Sequence, residues 1–419
     1  MDFTSGGALS PADRALLFGL QRRALRYFLD NQAANGLVLD RQANHGPRRP
    51  HELCSIAATG MGFVALALAS APPYRLLSPR EASRRVAAGL RAALEDLPHD
   101  HGVLPHFVHS ASGAVYGSDV LSTVDSSWLV AGGLWAAGLL RDPQVESLAA
   151  RLASRVDYSY WATPAGLLRH GRGRDGRLLD CCWDRVNGET AFMYVLAAGA
   201  DDGRALGAAS WQALRPFRGT TAGHEFNNAD LGLFVFQYGL DLLDLRSWRR
   251  PGDPDLWAEA RTAALANEAA CRAAAGEYAT YRRFWGLSAG DGPPAGPGRH
   301  YDYRSYSPSG PIDGTAHLTA TLASVEHHPA GVLRNLRETR GDGTLLGRYG
   351  FSNVNLDRGW VARDMVGIDA GAAVLALDNV LTAGRVREVF HALPCVGRAM
   401  ERLGFVRATP PPEANRQAS

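Results

Sequence analysis

Residues 55–70, SIAATGMGFVALALAS, form an apolar run with no polar face at any helical angle, and residues 122–140, STVDSSWLVAGGLWAAGLL, form another. A helix that is hydrophobic all round belongs inside a protein, covered on every side. Between the two lies 79–97, PREASRRVAAGLRAALEDL, which is amphipathic and belongs outside. The alternation continues along the chain. Hydrophobic spacing predicts helices over 11–34, 55–70, 79–96, 123–140, 143–156, 188–199, 203–215, 229–245, 254–274, 315–325, 329–339, 369–382 and 385–403. Buried helices taking turns with amphipathic ones give two concentric rings. Strand signals are few: aromatic pieces at 103–109, 157–170 and 345–351 suit short hairpins in the connections.

The bulk numbers narrow the function. The chain has 419 residues, 46% hydrophobic and 21% charged, which marks a globular protein. Lys and Arg number 44 against 42 Asp and Glu, a net charge of +2. That balance gives no reason to expect nucleic acid or an anionic membrane as partner. No charge-free apolar run reaches membrane-spanning length. The N-terminus, MDFTSGGALSPADRALLFGL, lacks a basic segment followed by an apolar one, so a cytoplasmic location is expected, or a periplasmic or secreted one if a leader has been trimmed. Residues 1–408 are expected to form one domain and 409–419, TPPPEANRQAS, a flexible tail. The Gly/Pro-rich stretch 286–300 reads as a long functional loop.

Five cysteines, at 54, 181, 182, 271 and 395, show no CxxC or Cys/His ligand spacing. His317, His327 and His328 have no carboxylate at metal-ligand spacing. Neither a Walker motif, nor GxGxxG after a strand, nor a GxSxG elbow occurs. No metal and no cofactor is expected.

Acids stand instead at the starts of the apolar helices. Glu189 opens ETAFMYVLAAG, Asp125 lies in STVDSSW, Asp313 in PIDGTAHL and Asp369 in GIDAGAAVLALDN, while Asp291 sits in the Gly/Pro loop. In a ring of inward-facing helices these mouths converge on one end. Each acid also has a structural reading. Ser122 and Asp125 fit a capping box, Asn187 is a good N-cap for the helix of Glu189, and Asp313 and Asp369 suit turn or cap roles. A helix dipole favours an acid by less than ~1 kcal/mol at an exposed end, too little to account for Glu189 leading a buried apolar helix. Paired carboxylates with aromatic rings are the residues of a sugar-processing cleft, where the acids donate and accept protons.

The ordered segments SIAATGMGFVALALA, STVDSSWLVAGGL, ETAFMYVLAAG, WGLSAGDGP (285–293), DGTAHLTATLAS (313–324), GRYGFSNVN (347–355) and GIDAGAAVLALDN (367–379) resemble the glycoamylase-like domain. That domain is shared by bacterial endo-β-1,2-glucanases of glycoside hydrolase family 144 and by the transglycosylating part of cyclic β-1,2-glucan synthases. The likeness spans roughly residues 15–405. It implies an all-α (α/α)6 toroid and a hydrolase that inverts the anomeric centre of β-1,2-glucan or sophoro-oligosaccharides, with transglycosylation or non-catalytic glucan binding as alternatives. The partner implied is an oligo- or polysaccharide, met by a monomer or homodimer. Glu189 matches the family's general acid, and Asp125 or Asp313 would activate water. Arg41, His106, Trp183, Trp285, Asp291, Tyr349 and Asp369 are the expected subsite residues. The chain departs from the family where Ser122 stands in place of an acid, and where GIDQGP has become GIDAGA.

Overall fold

The structure, a computed structural model, describes residues 9–117 and 120–408; the expected tail at 409–419 lies outside the described residues. The helices in chain order are α1 (Pro11–Asp30), α2 (Ile56–Ser70), α3 (Pro79–Glu95), α4 (Thr123–Leu140), α5 (Pro143–Arg155), α6 (Tyr158–Trp161), α7 (Gly188–Gly199) and α8 (Ala208–Gln212). They continue with α9 (Phe234–Gln237), α10 (Leu256–Ala273), α11 (Ala279–Arg283), α12 (Leu318–Ala323), α13 (Pro329–Glu338), α14 (Gly367–Leu381), α15 (Arg385–His391) and α16 (Pro394–Leu403).

The apolar helices are the inner ones. Every residue of α2 except Ser70 is buried, as is every residue of α7. Helix α2 packs on α4, α4 on α7, and α7 on α9. The side-chain amide of Gln237 in α9 donates to the carbonyl of Ala320 in α12 at 2.8 Å. Helix α12 packs on α14, and α14 returns to α2. Amphipathic helices back this closed series: α1 lies on α2 and α14, α3 and α5 on α4, α10 on α9, α13 on α12, and α16 on α7. Glycines let the innermost pair approach closely. A Cβ added at Gly60 of α2 would lie 2.2 Å from the carbonyl oxygen of Trp128, and one at Gly132 of α4 would lie 1.9 Å from that of Gly60. Only glycine allows that contact.

Each inner helix starts from a fixed point. Ser55, Ser122 and Asn187 cap α2, α4 and α7 by accepting from backbone amides three residues on. Short antiparallel strand pairs lead straight into the helices. Leu53–Ser55 pairs with Phe107–His109 before α2, and Leu121–Ser122 with Gly171–Arg172 before α4. Arg41–Ala43 pairs with Asp364–Val366 before α14. The expected hairpin material is therefore present, but it clamps helix mouths and is built partly from other residues. The stretch 157–170 holds α6 followed by one antiparallel bridge, Ala162 to Leu168, and 345–351 has one isolated bridge.

Several predicted helices are cut short or divided. The 229–245 pattern yields α9 and a 3-10 turn at Gly239–Asp241, because Gly239 presses on the backbone of Gly188, leaving 1.7 Å for a Cβ. The 203–215 and 315–325 patterns shrink to α8 and α12. The 385–403 pattern divides into α15 and α16 at Pro394, whose predecessor Leu393 is extended (φ −70°, ψ 130°). Among the described residues no helix is long and apolar enough to cross a membrane.

Candidate active site

A cavity of about 900 Å³ opens where the inner helices begin. Ser55 and Ala57 of the α2 mouth line it, with Ser122 and Asp125 of α4, Asn187 and Glu189 of α7, and Val366 and Ile368 of α14. Four helix N-termini thus face one space, and their dipoles favour negative charge there.

Glu189 is the second residue of α7 and is only 7% exposed. Among the described residues no hydrogen bond reaches its carboxyl group. Burial, reinforced by the charge of Asp125, pushes its pKa up to about 8. The group is therefore protonated at neutral pH.

Asp125 sits in the first turn of α4, also buried. The hydroxyl of Ser122 donates to its Oδ2, and its own amide donates back to Ser122 Oγ at 3.4 Å. His106 Nε2 lies 3.7 Å from Oδ1. Ser122 does cap α4, but its own amide donates to the carbonyl of Leu104 at 3.0 Å, so the reciprocal half of the expected capping box goes elsewhere and the Asp125 carboxylate faces the cavity. Trp183 lines the same wall, its indole N–H donating to Thr123 Oγ1 at 3.0 Å and its ring stacked on His170 at 3.9 Å.

A second charged group closes the other side. Arg41 is buried between Asp40 and Asp291, its nitrogens 3.2 and 2.9 Å from their carboxylates, and lies over the ring of Tyr301 at 4.0 Å. Burial raises the pKa of Asp291 to about 6 against the opposing pull of Arg41, and Asp291 Oδ1 has no hydrogen-bond partner among the described residues. Asp369, half-buried in the first turn of α14, is raised to about 7 by burial and then by Asp291.

The structure thus gathers Arg41, His106, Asp125, Trp183 and Glu189 on one cavity, with Asp291 and Asp369 adjoining the Arg41 cluster. Three expected residues sit elsewhere. Asp313 is tied up by Thr315, Tyr306 and Arg304. Trp285 is fully buried, its N–H given to the carbonyl of Gly331 at 3.1 Å. Tyr349 is 1% exposed and packs edge-on against Tyr27. Both rings belong to the core. Sequence reasoning missed Asp40, Tyr301 and Tyr303, all of which line the cavity. The alternation in HYDYRSY (300–306) carried a strand signal, and Asp302–Ser305 does pair with Ala289–Gly292. Among the described residues no group of three or more His, Cys, Asp or Glu side chains is placed to hold a metal ion.

Fold and site together define a helical protein whose helix mouths collect carboxylates in one cavity. A family model described as "Putative glucoamylase" matches residues 181–394, a little over half of the chain, and the chain belongs to that glycoamylase family. No curated protein matches. Among solved structures, a protein of the same description from Bacteroides fragilis NCTC 9343 superposes with a TM-score of 0.82 at 22% identity, over 96% of this chain and 99% of that one. An endo-β-1,2-glucanase from Chitinophaga pinensis, solved with sophorotriose and glucose, gives 0.82 at 20% identity, over 95% and 99%. A β-1,2-glucanase from Parabacteroides distasonis gives 0.79 at 19%, over 95% of this chain and 60% of that one. At these identities the likeness establishes the shared fold.

Proposed function

We propose that this chain is a glycoside hydrolase of β-1,2-glucan or sophoro-oligosaccharides, working by inversion within a single (α/α)6 toroidal domain over 1–408. The closed series of inner-helix contacts, backed by amphipathic helices, supports the toroid. The observation that carries the chemistry is Glu189, held protonated at neutral pH in a large cavity beside a second carboxylate. Shared fold with the Chitinophaga pinensis glucanase adds the substrate class.

In this reading Glu189 protonates the glycosidic oxygen as the bond from C1 to that oxygen breaks. Asp125, kept ready by the Ser122 hydroxyl, takes a proton from the water that attacks C1 from the opposite face. Inverting pairs stand about 6.5–9.5 Å apart to admit that water. Asp125 fills this role ahead of Asp313, whose carboxylate is committed to Thr315, Tyr306 and Arg304. Arg41, Asp291 and Asp369, with His106 and Trp183, would hold the sugar hydroxyls and faces.

The test is a screen of the purified protein against linear and cyclic β-1,2-glucans beside β-1,3-, β-1,4- and α-linked controls. New reducing ends from β-1,2-glucan, appearing first as the α-anomer by NMR, are expected. Cyclic or elongated products would redirect the reading to transglycosylation. Binding without cleavage would leave a glucan-binding protein.

A further inference from the structure

The cavity rim carries a cluster that the acid–base chemistry leaves unused. Arg185 and Asp230 both line the cavity. One nitrogen of Arg185 donates to both oxygens of Asp230, at 3.0 and 2.8 Å. The same guanidinium lies over the ring of Phe217, 3.9 Å from its centre. Phe217 is 47% exposed.

Stability does not explain the arrangement. The ion pair is about one-third exposed on both sides (34% and 38%), where such pairs contribute little. Yet the backbone holds the three groups firmly together. Arg215 N donates to the carbonyl of Asp184 at 2.8 Å, and Val186 N to that of Arg215 at 3.1 Å. Asn228 N donates to the carbonyl of Phe217 at 2.6 Å, and its side chain to that of Val186 at 2.9 Å. Asn228 adopts a left-handed conformation (φ 61°), which asparagine tolerates better than most residues. Segments 184–186, 215–217 and 228–230 are thereby tied into one platform.

We infer that Phe217, Arg185 and Asp230 form an outer subsite for adjoining neutral pyranose units of a chain whose reacting bond lies at Glu189. The inference rests on the glucan-cleaving reading of the cavity. Arg185 covers one face of the Phe217 ring, so the apolar C–H face of one pyranose packs on the open face, and the equatorial hydroxyls of the adjoining unit meet Arg185 and Asp230. Arg185 Nε and Nη2 make no hydrogen bond to the protein among the described residues, so they can donate to hydroxyl oxygens. Asp230 accepts from hydroxyl protons. Because the platform is on the rim, it serves chains that extend beyond the units seated beside Glu189.

The test compares wild type, Phe217→Ala and Phe217→Trp on sophorotriose and on β-1,2-glucan chains of about eight or more units. Phe217→Ala is expected to lower the long-to-short ratio of kcat/KM about tenfold, through KM on the long chain; this corresponds to ~1.4 kcal/mol. Phe217→Trp, which keeps a ring, restores the ratio. An unchanged ratio, or failure of the Trp variant to restore it, overturns the subsite. Should no β-glucan be cleaved at all, the functional reading falls by itself. Calorimetric binding of the long chain then decides the subsite: a tenfold weaker Phe217→Ala supports it, and equal affinity or no binding refutes it.

Discussion

Two acids lead into apolar inner helices, and they have opposite surroundings. Asp313 lies five residues before α12, and its carboxylate accepts from the Thr315 amide at 3.1 Å, the Thr315 hydroxyl at 2.6 Å, the Tyr306 hydroxyl at 3.2 Å and Arg304 at 3.3 Å. Glu189 leads α7 with no such donors and with a neighbouring acid instead. The first is surrounded by donors from the protein and holds a turn together. The second is buried beside another acid and so keeps its proton. Position at a helix mouth is shared; burial and the groups around the carboxyl set the two acids apart.

Exchanging the charge at each acid should separate them most. Glu189→Gln is expected to lower kcat on β-1,2-glucan by about three orders of magnitude, the middle of the range for losing a general acid, with the circular dichroism spectrum retained. Wild-type turnover in that variant would end the contrast. A pH scan sharpens it. The pKa of Glu189 is raised in the folded protein, so its burial costs stability as pH rises from the ordinary Glu range through about 8. Denaturant melts from pH 5 to 9 should show Glu189→Gln gaining on wild type toward high pH, by up to a few kcal/mol, since each tenfold change in proton affinity is worth about 1.4 kcal/mol. Activity should fall over the same upper limb, as the donor loses its proton. Asp125→Asn should move the Glu189 titration, followed by NMR, to lower pH, since a neighbouring negative charge disappears.

Asp313→Asn should do the reverse of Glu189→Gln. Stability should drop by about 1–3 kcal/mol, read from the denaturant midpoint, while kcat stays within about threefold. The smallest effect belongs to Ser122→Ala. Losing the cap of α4 should cost about 1 kcal/mol, and release of the Asp125 oxygen should alter kcat by less than tenfold.

The long elements are legible in the sequence because their ends are chemically marked. Ser122, Asn187 and the prolines opening α3 and α5 set the bounds of α3, α4, α5 and α7 to within a residue. Helix α9 falls short of its hydrophobic pattern, since the contact of Gly239 with Gly188 is a tertiary event that no local pattern records. The site is half legible. Acids at helix mouths can be read from the chain, but only the packing tells which mouths share a cavity. Trp285 and Tyr349 read like sugar platforms and are core, because an aromatic residue's sequence neighbours do not say which layer it faces. Arg41 stands out in the sequence, whereas its partner Asp40 looks like an ordinary strand-end acid.

The glycine contact between α2 and α4 has a practical corollary for anyone evolving this protein. The sliding surface where those two rods touch has no spare thickness, and one rod ends in Ser122 and Asp125. A methyl group introduced at Gly60 or Gly132 would wedge them apart and tilt the carboxylate that rides on the tip. Mutant libraries should therefore show an inactive hotspot deep between the inner helices, outside the cavity lining, while the rim loops accept wide variation.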